Sequence, residues 1–244
     1  MPMSLGRAVT LHTPDGLELP AWAALPEGPL RGAVVVVQEI FGVNSHIRAV
    51  TERFAARGFA ALAPALFHRL EPQARHDAPM GIELGYTADD VQKGRSLKSR
   101  AEALPGDLTV AQDLCAAVDW LAEQTGQKVG MVGFCWGGLL TWRAAALLPQ
   151  LSAAVSYYGG GMTLPEERAR TPQCPVMAHF GREDAHIPLD GVIALSQAHP
   201  GVQVHVYEAG HGFNCDQRPD YDDASAVQAK DRTLAFFDQY LGRR

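Results

Sequence analysis

The chain has 244 residues, 47% of them hydrophobic and 20% charged, with a formal net charge of -6. Such a chain can bury a large core, and its length fits one α/β domain spanning residues 1–244. The acidic balance, with Lys and Arg scattered rather than blocked, excludes the electrostatic footprint of a nucleic-acid or anionic-membrane binder and leaves a small soluble partner. No apolar run approaches the roughly 20 residues of a membrane span, and the first seven residues lack the apolar stretch of a secretory signal, so a cytoplasmic location is expected. Cys115, Cys135, Cys174 and Cys215 form no Cys-x-x-Cys pair. Neither a zinc site nor a dense disulfide framework is signalled, and free thiols are expected.

In chain order, Ala8–Thr13 and Leu17–Leu25 flank the turn-forming Thr13-Pro14-Asp15-Gly16, which predicts an antiparallel hairpin, with Pro20 placing its strand on a sheet edge. Gly32–Val37 is the β-branched run of a central parallel strand covered on both faces. Asn44 caps a predicted helix to about Arg57, and Phe59–Ala63 is the next strand, so this stretch reads as a βαβ unit. Residues 64–105 show little periodicity apart from a short helix near Asp89–Ala103, and so long a connection is expected to be a lid or a solvated excursion. A helix from Asp107 to about Gly126 follows. The strand Val129–Val132 precedes Gly133-Phe134-Cys135-Trp136-Gly137-Gly138, with a helix beyond it. Strands at Leu151–Tyr158, Pro175–Phe180 and Val202–Tyr207, a helix at Pro188–His199 and a closing helix at Asp222–Leu241 complete the pattern.

Strand, tight turn and helix around Gly-x-Cys-x-Gly form the pattern of a nucleophile elbow carrying a thiol. A residue on such a turn projects clear of the sheet, and the backbone comes so close that Gly is needed two positions to either side. The bland alternative is a free buried cysteine in a Gly-rich turn. Polar residues at the carboxyl ends of successive strands, Glu39, Cys135, Asp184 and His211, fall along the sheet edge where open α/β folds bind ligands. Their order of nucleophile, acid and histidine is that of the α/β-hydrolase arrangement. Cys135 is the candidate nucleophile, His211 the base and Asp184 the group that orients it, with Glu183 as its competitor. The backbone N–H groups of Ile40 and Trp136 are the candidate oxyanion hole.

Gln38–Asn44, Gly133–Gly138, Gly181–Pro188 with Asp184, and Gly210-His211-Gly212-Phe213 together resemble the dienelactone hydrolase (carboxymethylenebutenolidase) family, from about Val34 to the last helix. The resemblance implies a monomeric α/β-hydrolase fold, a mostly parallel central sheet with helices on both faces, and a cofactor-independent enzyme opening a lactone or related ester through a Cys-His-Asp triad. It also implies that Glu39 accepts the thiol proton as substrate binds. Founding members hold the substrate carboxylate with arginines, one of them four residues beyond the histidine, where this chain has Cys215; they carry Ser where it has Gly212. The remaining candidates for that grip are Arg69, Arg95, Arg100 and Arg218. Two other classes are a redox switch pairing Cys135 with Cys215 as resolving thiol, and a silent scaffold of the same fold. His68, His76 and Asp77 do not match a metal-ligand spacing, and no metal is expected.

Overall fold

The β-branched run Gly32–Val37 forms β3, and each of its six residues is buried. Both faces of this strand must therefore be covered, and each fully buried Val adds about 1.5–3 kcal/mol. The computed structural model describes residues 6–71, 80–105 and 108–242. Ahead of β3 lie β1 (Arg7–His12) and β2 (Glu18–Ala24); after it come α1 (Ser45–Ala55), β4 (Phe59–Pro64), α2 (Ala88–Glu102) and α3 (Leu108–Thr125). The remaining elements are β5 (Val129–Phe134), α4 (Trp136–Leu147), β6 (Ala153–Tyr157), α5 (Pro165–Arg168), β7 (Val176–Gly181), α6 (Leu189–Ala198), β8 (Gln203–Tyr207) and α7 (Asp223–Leu241).

The strands form one sheet in the order β1-β2-β4-β3-β5-β6-β7-β8. Only the β1–β2 and β2–β4 pairings are antiparallel. This is the mostly parallel α/β-hydrolase sheet expected from the sequence. From β3 the chain steps to β4 on one side, then crosses to β5 on the other. The strand order thus reverses between β3 and β5, and a crevice opens at the carboxyl ends of these two strands. Glu39 follows β3 and Cys135 follows β5, so topology alone brings these distant residues to one place.

Pro20 does not mark an edge. β2 is second from the edge, with β1 outside it. The ladder to β4 begins only at Ala21, so the missing N–H interrupts nothing there, while the Pro20 carbonyl accepts from Ala65 N at 2.9 Å. The helices start where short polar side chains satisfy free backbone donors. Asn44 caps α1 by accepting from Ile47 N, Thr87 and Asp90 form a reciprocal capping box on α2, and Asp222 accepts from Ser225 N. α1 and α7 share one face of the sheet, where Phe54 and Phe237 meet edge to face at 6.0 Å.

The described residues of the stretch 64–105 include the helix expected near Asp89–Ala103 and one further turn. Leu66–Leu70 form a 3-10 turn, and α2 has fifteen residues. Of these only Gly94, Leu97 and Ala101 are buried, which explains the weak hydrophobic period. Residues 80–86 are fastened to the loop after β3 by a bridge between Gly42 and Glu83 and by Leu84 N donating to Phe41 O at 2.9 Å. Of the disfavoured metal set, His76 and Asp77 lie outside the described residues; among the described residues no His, Cys, Asp and Glu cluster has metal-binding geometry. No helix there is long and apolar enough to cross a membrane.

Candidate active site

Cys135 sits between β5 and α4 with φ 54° and ψ −115°, a region that non-glycine residues rarely adopt. Its own N–H donates to Tyr157 O at 3.0 Å, tying the turn to the neighbouring strand. The flanking glycines are required by contact. A Cβ on Gly133 would lie 2.0 Å from Gly137 O, and one on Gly137 would lie 2.4 Å from Gln38 O. α4 therefore presses against the end of β3, and the thiol, half-buried, faces the crevice edge. The Trp136 N–H opens the helix and has no intrahelical acceptor.

Gln38 is fully buried and its amide works on both sides: Oε1 accepts from Leu66 N at 3.1 Å, and Nε2 donates to Glu39 O at 3.3 Å. In a trans peptide the C=O and N–H point in opposite directions, so this bond aims the Ile40 N–H away from Gln38. Neither the Ile40 nor the Trp136 N–H has an acceptor among the described residues. The two candidate oxyanion donors thus follow the two strands that bound the crevice, β3 and β5.

His211 Nδ1 lies 2.7 Å from Asp184 Oδ2, and the Asp184 side chain is wholly buried. Asp184 Oδ1 accepts from the His186 backbone N–H at 2.8 Å, which fixes the carboxylate plane. Glu183, the sequence competitor, is exposed and makes no such contact. Burial disfavours a charge on His211, but the hydrogen bonds to Asp184 and Cys135 prevail and raise its pKa to about 10. The imidazole thereby stands between a buried carboxylate and the elbow thiol, both of which favour its charged form. Of the two glycines beside it, Gly212 is needed: its φ is 84°, and a Cβ there would lie 2.5 Å from Arg218 Nη1. Gly210 has open space around it.

Glu39 is 1% exposed, and neither carboxylate oxygen has a hydrogen-bond partner. Its nearest counter-charge is Arg218, with Nη1 3.6 Å from Oε1. A buried carboxylate without donors is costly unless it has work to do or a counter-ion to hold it. Tyr158 stands close by at φ 37°, fully buried, its ring 5.2 Å from that of His211 and its hydroxyl without a partner. Burial pushes the Tyr158 phenol far up, and the charges of Glu39, Cys215 and Cys135 add to this, so it remains a donor. Cys215 is completely buried, its thiol facing Tyr86 Oη at 3.3 Å, and burial pushes it up to about 11. A strained thiol, a carboxylate-held imidazole and two free backbone donors can carry out acyl transfer.

The profile of the dienelactone hydrolase family matches residues 19–241. The chain belongs to the dienelactone hydrolase family. A provisionally named carboxymethylenebutenolidase of Salmonella typhimurium is 35% identical, covering 96% of this chain and 92% of its own. The carboxymethylenebutenolidase of Pseudomonas putida is 29% identical, over 95% and 96% of the two chains. The crystal structure of a provisionally named dienelactone hydrolase from Klebsiella pneumoniae superposes with a TM-score of 0.76 at 35% identity, covering 96% of this chain and 99% of that one. Membership makes this chain an ester-hydrolysing enzyme, of lactone or ester type.

Among the family-derived arginine candidates the structure separates one from three. Arg218 lines the crevice beside Glu39 and Gly212. Arg69 is taken up by Asp15 and by the buried Asp113, Arg100 pairs with Glu71, and Arg95 is exposed on α2. Tyr158, Tyr86, His46 and His186 were not singled out from the sequence. His186 packs edge-on to His211 with ring centroids 5.1 Å apart, and fully buried His46 reaches Asp216 at 3.2 Å while its Nε2 has no partner. Tyr158 had one usable signal, its place at the carboxyl end of β6 before three glycines. Tyr86 had none, because it lies far from any strand end, in a short segment that long-range contacts carry into the site.

Proposed function

We propose that this enzyme opens a lactone or a related carboxylic ester through a Cys135 thiolate and an acyl-thioester intermediate. The observation that carries the reading is the chain of contacts from Asp184 through His211 to Cys135, ending on the positive-φ elbow. Glu39, whose oxygens have no donors, takes the thiol proton when substrate enters, and so guards the nucleophile in the resting enzyme. The thiolate adds to the carbonyl carbon, and the negative charge on oxygen is met by the Ile40 and Trp136 N–H groups, where loss of one such donor costs about 2.7–4 kcal/mol. The C–O bond then breaks, and His211 gives its proton to the departing alkoxide. Water attacks the thioester as His211 takes a proton back, the C–S bond breaks, and Glu39 returns its proton to the departing thiolate as the acid leaves.

Arg218 is the cation placed to meet a substrate carboxylate, which would draw it from Glu39. That exchange would leave Glu39 more basic at the moment a proton must be accepted, coupling binding to activation. Cys135→Ala should abolish hydrolysis of p-nitrophenyl acetate and of a lactone panel, and mass spectrometry of wild type under rapid quench should show an acyl adduct on the Cys135 peptide. Undiminished turnover by the alanine variant would sink the assignment. The redox reading finds no support in Cys215, since a fully buried thiol raised to about 11 is poorly suited to resolve a sulfenic acid.

A further inference from the structure

A cavity of about 450 Å³ lies between α1 and α7, and none of Cys135, His211, Asp184 or Glu39 lines it. Its volume falls within the range typical of small-molecule sites. Phe134 and Tyr157, both almost wholly buried, close its inner end, and Phe54 and Leu234 line its sides. The Tyr157 hydroxyl is already bonded to Thr233 Oγ1 at 2.7 Å, so this end offers ring faces rather than an open polar contact.

The lining carries three carboxylates and three cations, and these groups differ in their hydrogen bonding. Each lining carboxylate is engaged: Glu52 accepts from Trp22 Nε1 at 3.2 Å, Asp216 from Arg53 at 2.5 Å, and Asp223 from Tyr221 Oη at 2.9 Å. Arg53 is thereby occupied too. Arg57 and Lys230 also line the cavity, and their side chains have no partner among the described residues. An aromatic interior with two lining cations whose donors are free to bond is complementary to a flat apolar molecule bearing one carboxylate.

We propose that the α1–α7 cavity is a second binding site, separate from the catalytic crevice, for a small aromatic or similarly apolar monocarboxylate. The ring lies against Phe134 and Tyr157, and the carboxylate meets Arg57 and Lys230. This site does not depend on the cysteine mechanism, and its occupancy is measured by binding alone. It is nevertheless continuous with the elbow, since Phe134 directly precedes Cys135 and the Tyr157 carbonyl holds the Cys135 N–H.

The test is calorimetric titration of the full chain with 2-naphthoate and with its neutral isostere 2-naphthamide, before and after iodoacetamide alkylation, with the Cys135 adduct verified by peptide mass spectrometry. Saturable naphthoate binding should survive alkylation, weaken with added salt, and exceed that of the amide by about tenfold or more. Arg57→Glu combined with Lys230→Glu should lower naphthoate affinity by about tenfold or more, and Ala226→Phe, which fills the cavity, should remove it without changing the secondary structure by circular dichroism. Three results would overturn the proposal: no saturable binding, equal binding of acid and amide, or binding that alkylation removes and the charge reversals leave untouched. The last would put the ligand in the catalytic crevice.

Discussion

Replacing Asp184 by Asn tests whether that carboxylate acts by setting the tautomer of His211. Asp184 Oδ1 accepts the His186 backbone N–H at 2.8 Å and Oδ2 meets His211 Nδ1 at 2.7 Å, in a position closed to solvent. In the Asn variant the amide oxygen stays on the His186 donor, so the NH2 group faces His211. In the neutral imidazole Nδ1 must then accept, the proton sits on Nε2, and the nitrogen toward the thiol cannot take a second proton without opposing the introduced amide. Losing the charge-assisted bond also removes about 1.5–3 kcal/mol that favours the imidazolium, so the His211 pKa should fall from about 10 by one to two units. The expected loss in kcat for p-nitrophenyl acetate is on the order of 10³–10⁴. Asp184→Ala removes the carboxylate without imposing a tautomer, and should be impaired less than Asp184→Asn. Nitrogen-15 NMR of His211 reads the tautomer directly. An Asn variant that outpaces the Ala variant, or whose neutral His211, measured above its pKa, keeps the proton on Nδ1, would refute the reasoning.

Three other outcomes follow from the same site. Arg218→Ala leaves Glu39 buried without its counter-ion and should cost about 3 kcal/mol in urea unfolding, with Glu39→Gln in the same background restoring most of it. Gly94→Ala in α2 should destabilise by about 1–3 kcal/mol and lower kcat, because the new Cβ would lie 2.4 Å from Ile40 O and must push the loop that carries an oxyanion donor. Helix propensity alone would predict the opposite sign for that substitution, by about 1 kcal/mol. The pKa of His211 is raised from 6.5 to about 10, so its contribution to stability is full below about pH 6.5 and lost as pH rises through about 10. Wild type should therefore lose more thermal stability between neutral and strongly alkaline pH than His211→Gln, and parallel Tm curves for the two would count against the raised value.

What the sequence determined by itself was whatever depends on neighbouring residues. Gly32–Val37 reads as a strand buried on both faces, Gly-x-Cys-x-Gly after an apolar run reads as a tight turn at a thiol, and Asn44 and Asp222 stand where the helices after them begin. The choice among equally suitable side chains was decided in three dimensions. Asp184 and Glu183 are adjacent in the chain, yet only Asp184 is enclosed and aimed at His211. Arg69 and Arg218 looked alike as carboxylate ligands, but the sheet order sends Arg69 to the buried Asp113, while a turn at Gly212 lays Arg218 beside Glu39. Pro20 suggested an edge because a missing N–H matters only where a neighbour would accept it, and where β4 ends relative to β2 is a property of long-range pairing. The crevice itself has the same origin: it exists because the strand order reverses between β3 and β5, and no local pattern encodes which strands will be neighbours.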